Sequence, residues 1–379
     1  MVKERAFWLA WSQLHGVGPI LLKRLQQQFG TLSTAWSAKA SALMAVEGVG
    51  QQSAEAIVAQ RQQYDPETFL AEHEQANPDF WTPADADYPR LLLEIPDPPA
   101  VLYYQGLVDL QENLGQVPMI AIVGTRSPSE YGRRWTRRLS SALAKQGFTV
   151  VSGLAQGVDT EAHRSCLQVG GRTLAVVGTG VDVVYPWSNR QLCQQVMAQG
   201  LVLSEYPAGT QPDRVHFPRR NRIIAGLSRA TLILEAPERS GALITAHLAN
   251  DYGRDVYVLP GNSDNPRSLG CLKLWNNGAQ GILGEDHLLD LLGTLPQLPP
   301  SAAKSVPDQI ALPFDLPVDL TQVLQALTEI AQRSQNDAVQ LDQLAPVTNL
   351  NAGEISSALL QLELMGLVVQ LPGMRYQRH

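Results

Sequence analysis

The sequence predicts an α/β protein built on a doubly wound, mostly parallel, Rossmann-like sheet, with a small helical domain before it and a winged-helix domain after it. Three observations lead there. Between about residues 118 and 292, six short apolar runs alternate with amphipathic helical stretches, as expected of parallel strands covered by helices on both faces. The preceding segment repeats a glycine-containing turn, and the final segment reads helix-helix-helix-hairpin. With 379 residues and 44% hydrophobic content, the chain is too long for one core and divides into several domains.

In residues 1–76, "LHGVGPILLKRL" (14–25) is echoed by "VEGVGQQSAEAI" (46–57), so Gly16 and Gly18 recur as Gly48 and Gly50. Such paired turns suggest a helix-hairpin-helix or SAM-like domain, since glycine lets backbone N–H groups at a helix N-terminus approach a phosphate. Only the first copy has basic neighbours, Lys23 and Arg24; the second reads as structural. Residues 77–117 are proline-rich and read as an extended connector.

The strands of the Rossmann-like domain (118–294) are expected in "MIAIVG" (119–124), "FTVVSG" (148–153), "TLAVVG" (173–178), "LVLSEY" (201–206), "TLILEA" (231–236) and "DVYVLP" (255–260). A polar, proline-rich stretch (295–317) reads as a linker. In the winged-helix domain (318–379), "TQVLQALTEIAQR", "LDQLAP" and "AGEISSALLQLELMG" read as helices and "LVVQLPGMRYQR" as a hairpin. Its recognition helix carries Glu354 and Glu363 but no Lys or Arg, which argues against reading a duplex groove.

Composition narrows the function. Cys166, Cys193 and Cys271 are scattered and read as buried thiols rather than a disulfide framework or zinc site. No stretch approaches the ~20 apolar residues of a membrane span, and a cytoplasmic protein is expected. The seven histidines form no metal-ligand spacing, and no nucleophile elbow occurs, so no metal, cofactor or catalytic residue is expected. His163 and His247 read as structural. The formal net charge is −7, yet residues 120–240 hold fifteen basic residues against eight acids, a local +7 that leaves −14 for the rest. One cationic region in an acidic chain marks a face for a polyanion.

Ligands of doubly wound sheets bind beyond the carboxyl ends of the strands. The first run opens into Gly124-Thr125-Arg126, followed by a helix from about Ser129. Backbone amides, a hydroxyl and a guanidinium there suggest a phosphate cradle, but neither G-x-G-x-x-G nor a P-loop pattern is present. The second run ends in Ser152 and Gly153, with Asp159 expected as a helix cap. Phe217, Arg219, Arg220, Asn221 and Arg222 combine phosphate donors with a ring suited to stacking. After the fifth run come Glu235 and then Ser240-Gly241, which opens another helix and another anion site.

These motifs together resemble the DprA/Smf family of DNA-processing proteins. "GTRSPSEYG", "SGLAQGVDTEAH", "SEYPAG", "FPRRNRIIAGLS", "EAPERSGALITAHLA" and "GRDVYVLPG" occur in the family's order. Gln156 stands where an arginine is frequent, and the region around Leu272 and Lys273 departs from the family pattern. The resemblance implies a non-enzymatic homodimer that binds single-stranded DNA without strong sequence preference. It implies that this protein helps load RecA recombinase in natural transformation, on DNA displaced from single-strand-binding protein. The DNA site expected from the strand-end reading and the resemblance together comprises Gly124, Thr125, Arg126, Ser152, Gly153, Phe217, Arg219, Arg220, Asn221, Arg222, Ser240 and Gly241. The main alternative is a nucleotide-processing enzyme of the lysine-decarboxylase-like Rossmann superfamily, although "EAPERSGALIT" lacks that group's paired glycines.

Overall fold

The computed structural model describes residues 4–77, 79–293, 320, 322–327, 330, 338–348, 350–364, 367–371 and 375–378. The chain divides into two compact units, Met1–Ser301 and Ala302–His379. The stretch read as a linker, 295–317, lies outside the described residues, as does part of the first expected winged-helix helix.

In the larger unit, nine strands form one sheet: β1 (Phe80–Trp81), β2 (Leu102–Gly106), β3 (Met119–Val123), β4 (Thr149–Ser152), β5 (Thr173–Val176), β6 (Leu201–Ser204), β7 (Ala230–Ile233), β8 (Asp255–Val258) and β9 (Gln280–Gly281). Their order is β1-β2-β6-β5-β4-β3-β7-β8-β9. β3 to β9 are parallel, while β1 and β2 run antiparallel on the β6 edge. All six expected runs are strands. Because neighbouring side chains on a strand face opposite ways, β3 serves two cores. Ala121 and Val123 pack with Ile223, Ile224 and Ala246, whereas Ile120 and Ile122 pack with Leu139, Leu143, Ala162, Leu288 and Leu292.

From β3 the chain winds out through β4, β5 and β6, then crosses back along helix His216–Leu227 to place β7 on the other side of β3. The reversal between β3 and β7 is the topological switch point, where the loops leaving the two strands diverge and open a crevice.

The glycine repeats form two helix-hairpin-helix elements. Gly16 and Gly48 take φ of 82° and 92°, in the left-handed region, and Gly18 and Gly50 cap helices Pro19–Phe29 and Gln51–Arg61. Both basic residues of the first element face protein. Lys23 Nζ donates to the Leu93 and Ile95 carbonyls at 3.0 and 2.7 Å, and Arg24 pairs with Glu47 at 3.3 Å.

Residues 77–117 are not the extended connector expected. They supply β1, β2 and the short helices Arg90–Glu94 and Leu110–Asn113, and Phe80, Val101 and Tyr103 complete the core of the helical region. The prolines hid this because they flank the strands, leaving none inside β1 or β2. A buried ion pair pins the segment down. Glu112 is 2% exposed and accepts from Arg172 Nε and Nη2 at 2.7 and 2.9 Å, while Arg172 Nη2 also donates to the Leu107 carbonyl.

In the smaller unit, helices Leu341–Thr348 and Ala352–Leu364 pack with a three-stranded sheet of β10 (Ala338–Gln340), β11 (Val368–Leu371) and β12 (Arg375–Arg378). The hairpin and the two helices agree with the sequence reading; β10, three residues long, is additional. Leu324, Leu344, Leu359 and Tyr376 are among its core residues.

Removing one partner of a buried ion pair strands the other charge. Because Arg172 is 21% exposed and keeps the Leu107 and Gln199 carbonyls, Glu112→Ala should lower the unfolding free energy by about 2 kcal/mol in urea titration; a loss below about 1 kcal/mol would show that the Glu112–Arg172 pair does not anchor the segment.

Candidate nucleic-acid interface

Three loops meet at the switch point. The Thr125 amide donates to the Glu235 carbonyl at 2.7 Å, and the Val158 amide donates to the Thr125 carbonyl at 3.2 Å. The loops after β3, β4 and β7 are thus laced through one residue. Such closeness requires glycine: a Cβ on Gly124 would lie 2.6 Å from Val158 Cγ2, and one on Gly157, at φ 87°, would meet the Thr125 and Arg126 backbone. Next to them Leu154 holds φ 56° while fully buried, a conformation costing a β-carbon-bearing residue about 1–2 kcal/mol. Asn189 Nδ2 fixes it by donating to the Leu154 carbonyl at 2.9 Å.

The cleft opened here has a volume of about 650 Å³ and is lined by, among others, Gly124, Thr125, Arg126, Phe217, Arg220, Asn221, Ser240 and Gly241. Eight of the twelve residues expected from the sequence converge there. Gly153 lies just beneath, in a smaller recess shared with Arg126, Phe217 and Arg220.

The remaining three are placed differently. Ser152 is fully buried at the end of β4, its Oγ donating to the Ile122 carbonyl at 2.6 Å, so its hydroxyl serves the sheet. Arg222 donates to both oxygens of Glu205 at 2.8 and 2.7 Å and pairs with Asp97 at 3.2 Å, so its charge is consumed internally. Arg219 is exposed but does not line the cleft.

Two local expectations are corrected. The helix after β3, Glu130–Lys145, is not an open phosphate cradle, because Glu235 already occupies its N-terminus. The buried carboxylate accepts from the Ser129 amide at 2.7 Å and Ser129 Oγ at 2.8 Å, complementing the helix dipole. Asp159 is not the helix cap; Gly157 is. Asp159 instead turns back and accepts from the Gly153 and Ala155 amides at 3.1 and 3.3 Å. The helix end that does face the cleft is Gly241–Asp251, capped by Ser240 Oγ from the Ala242 amide.

The floor is a buried charge pair in tension with its surroundings. Arg220 is 5% exposed and donates to the Gly153 carbonyl at 2.7 Å and to the Val176 carbonyl. Desolvation pushes it down to about 10, opposed by Asp159, and desolvation pushes Asp159 up to about 6 despite Arg220. Gly153 fits between them; a Cβ there would lie 2.6–2.7 Å from both side chains. The rim is different. Arg126, Arg214 and Arg239 line the cleft with no carboxylate within ion-pair distance among the described residues. Tyr185, 43% exposed, packs on Phe217 with ring centroids 5.4 Å apart, and the Arg126 guanidinium lies 5.9 Å from the same Phe217 ring. Tyr185, Arg214 and Arg239 were missed in the sequence. They sit in unremarkable loop text, although "VYP" and "PDRVHFP" do place a ring and a charge beside the motifs.

The fold and the site define a Rossmann-like α/β protein with a cationic, aromatic-edged cleft at its topological switch point. The family model for DNA recombination-mediator protein A matches residues 79–293, and the model for the DprA winged-helix domain matches residues 307–374. Protein Smf of Synechocystis is 52% identical over 99% of both chains. The crystal structure of DNA processing protein A from Streptococcus pneumoniae superimposes with a TM-score of 0.65 and 34% identity, covering 76% of this chain and 98% of that one. DNA processing protein A from Helicobacter pylori, described for its single-stranded DNA binding mode, gives 0.51 and 32%, covering 56% and 95%. The chain belongs to the DprA/Smf family of DNA-processing proteins.

Below the floor, His163 is fully buried with Nδ1 2.7 Å from Thr173 Oγ1, and burial holds it down to about 3. Unfolded, it takes a proton below about 6.5 that the folded state refuses, so its contribution to stability falls as pH drops from 6.5 toward 3. Asp159 works in the opposite sense: the folded state binds its proton first, so stability rises as pH falls from about 6 toward 3.8. His163→Gln should remove the first effect only. Between about pH 7.5 and 5.5 the variant should gain about 1.4 kcal/mol relative to the parent protein in urea titrations; parallel pH profiles would mean that His163 titrates normally.

Proposed function

We propose that this chain binds single-stranded DNA in the cleft between β3 and β7 and has no catalytic role there. The observation that carries the proposal is the division of labour among its arginines: Arg222 is spent inside the fold and Arg220 forms the buried floor, while Arg126, Arg214 and Arg239 stand around the cleft without carboxylate partners among the described residues. Phosphates lie against the Arg126 and Arg239 guanidiniums and the N-terminal amides of helix Gly241–Asp251, where dipole and donors favour an anion. A base packs against the Tyr185–Phe217 pair, since ring stacking suits any base. Gly124, Thr125 and Gly153 bring the loops together, and Asn221 and Gly241 complete the wall. Arg219 adds a charge outside it, whereas Ser152 and Arg222 have supporting parts.

The single-stranded DNA described for the Helicobacter pylori relative supports this assignment. Family resemblance alone supports the further elements of the proposal: a homodimer, acting in the cytoplasm in natural transformation, that hands DNA taken from single-strand-binding protein to RecA.

Each phosphate contact contributes about −0.7 to the slope of log affinity against log salt for single strands. Fluorescence anisotropy of a labelled oligo-dT should therefore give a slope of about −2 to −3 for the parent protein. Arg126→Ala should weaken binding by about 1–3 kcal/mol with a shallower slope and an unchanged melting temperature, since the side chain is exposed. Equal affinity and slope for the two proteins would move the DNA site elsewhere.

A further inference from the structure

The loop after β5 carries a feature that the cleft does not absorb. Tyr185 and Pro186 line the cleft and its recess, but the next residue, Trp187, lies outside both. Trp187 is 69% exposed, more than any other aromatic side chain among the described residues. An indole left this far in water contributes little to folding, so packing does not account for it. Nor is it loosely placed. It opens a short 3-10 turn, Trp187–Asn189, whose Asn189 is buried and donates to the Leu154 and Ala155 carbonyls and to Thr160 Oγ1. The Arg190 guanidinium lies 4.9 Å from the Trp187 ring. Arg190 has no carboxylate within ion-pair distance among the described residues, so this ring and this charge form a free pair on a rigid base.

The arrangement repeats the chemistry of the cleft. Phe217 and Tyr185 stand beside Arg126, and two residues further along the loop Trp187 stands beside Arg190. Rings alternating with cations along one loop suit a single strand, whose bases need flat apolar faces and whose phosphates need charge. A cationic surface without rings would serve a duplex backbone equally well. On the basic helix Glu130–Lys145, Arg133, Arg137 and Arg138 are paired with glutamates, and the ring and cation that remain, Tyr131 and Arg134 at 5.8 Å, offer a less exposed ring, 38% against 69% for Trp187.

We propose that Trp187 and Arg190 form a second nucleotide subsite, in which the indole stacks on a base of a strand leaving the cleft past Tyr185 and Arg190 contacts the adjoining phosphate. This inference rests on the DNA site proposed above and extends it along the strand.

The test compares Trp187→Ala and Trp187→Phe with the parent protein, using oligo-dT of about 6 and about 20 nucleotides. Trp187→Ala should bind the long strand about 5- to 100-fold more weakly, the weight of one stacked base, and the short strand unchanged. Trp187→Phe should restore most of the long-strand affinity while losing part of the tryptophan quenching that DNA causes in the parent protein. Arg190→Ala should make the salt slope shallower for the long strand only. Unchanged long-strand binding in Trp187→Ala, with the parent binding both strands, overturns the second subsite and leaves the cleft intact. Equal weakening on both strands overturns it also, by placing Trp187 within the cleft site. Failure of the parent protein to bind either strand overturns the DNA site itself.

Discussion

Thr125 has to reach two loops at once. Its amide bonds to the loop after β7 and its carbonyl to the loop after β4, and both bonds depend on the missing side chains of Gly124 and Gly157. Without that lacing the loops after β3, β4 and β7 would part, and the residues they carry would not share a cleft. Glu235 adds a second tie from the same strand end, holding Ser129 and the helix behind it, while Asn265 donates at 3.1 Å to the Oε1 that also accepts from Ser129 Oγ. The binding surface is therefore a consequence of backbone closeness at the switch point, with the arginines as its outward expression.

Charge is sorted by that framework. Of the basic residues concentrated between 120 and 240, five on helices find acids: Arg133, Arg137 and Arg164 converge on Glu161, Arg138 on Glu285, and Arg222 on Glu205 and Asp97. Among the described residues the loop residues Arg126, Arg214 and Arg239 do not, and neither do Arg134, Arg190 and Arg219 on helices. The exposed pairs among these add little stability, but together with the buried Arg222 pairs they weaken the field of the helical faces. The strand-end face keeps the charge of Arg126, Arg214 and Arg239 and attracts a polyanion even though the whole chain carries −7.

The sheet was legible because each strand is a run of apolar residues ended by glycine or a small polar residue, and the parallel order follows from the intervening helices. β1 and β2 were not: β1 has only two residues, and β2, LYYQG, ends in partly polar text among prolines and does not stand out as an apolar run between helices. The cleft was legible in outline for the same reason as the sheet, as strand-end residues must cluster. Its individual roles were not. Arg220 and Arg222 are two residues apart in one motif, yet one forms the floor of the cleft and the other is spent on Glu205 and Asp97. Nothing local separates them, because the difference lies in partners 17 to 125 residues away.

By itself the sequence determined the fold class, the family, the helix-hairpin-helix turns and the region that carries the positive charge, all of which depend on periodicity, glycine placement and composition along a single chain. Only the tertiary structure decided which cations are free, which helix end is open and which rings are exposed. Those properties belong to pairs of groups from different loops. Glu235 fills one helix N-terminus and leaves that of Gly241–Asp251 open, and that choice follows from how three strand ends pack together.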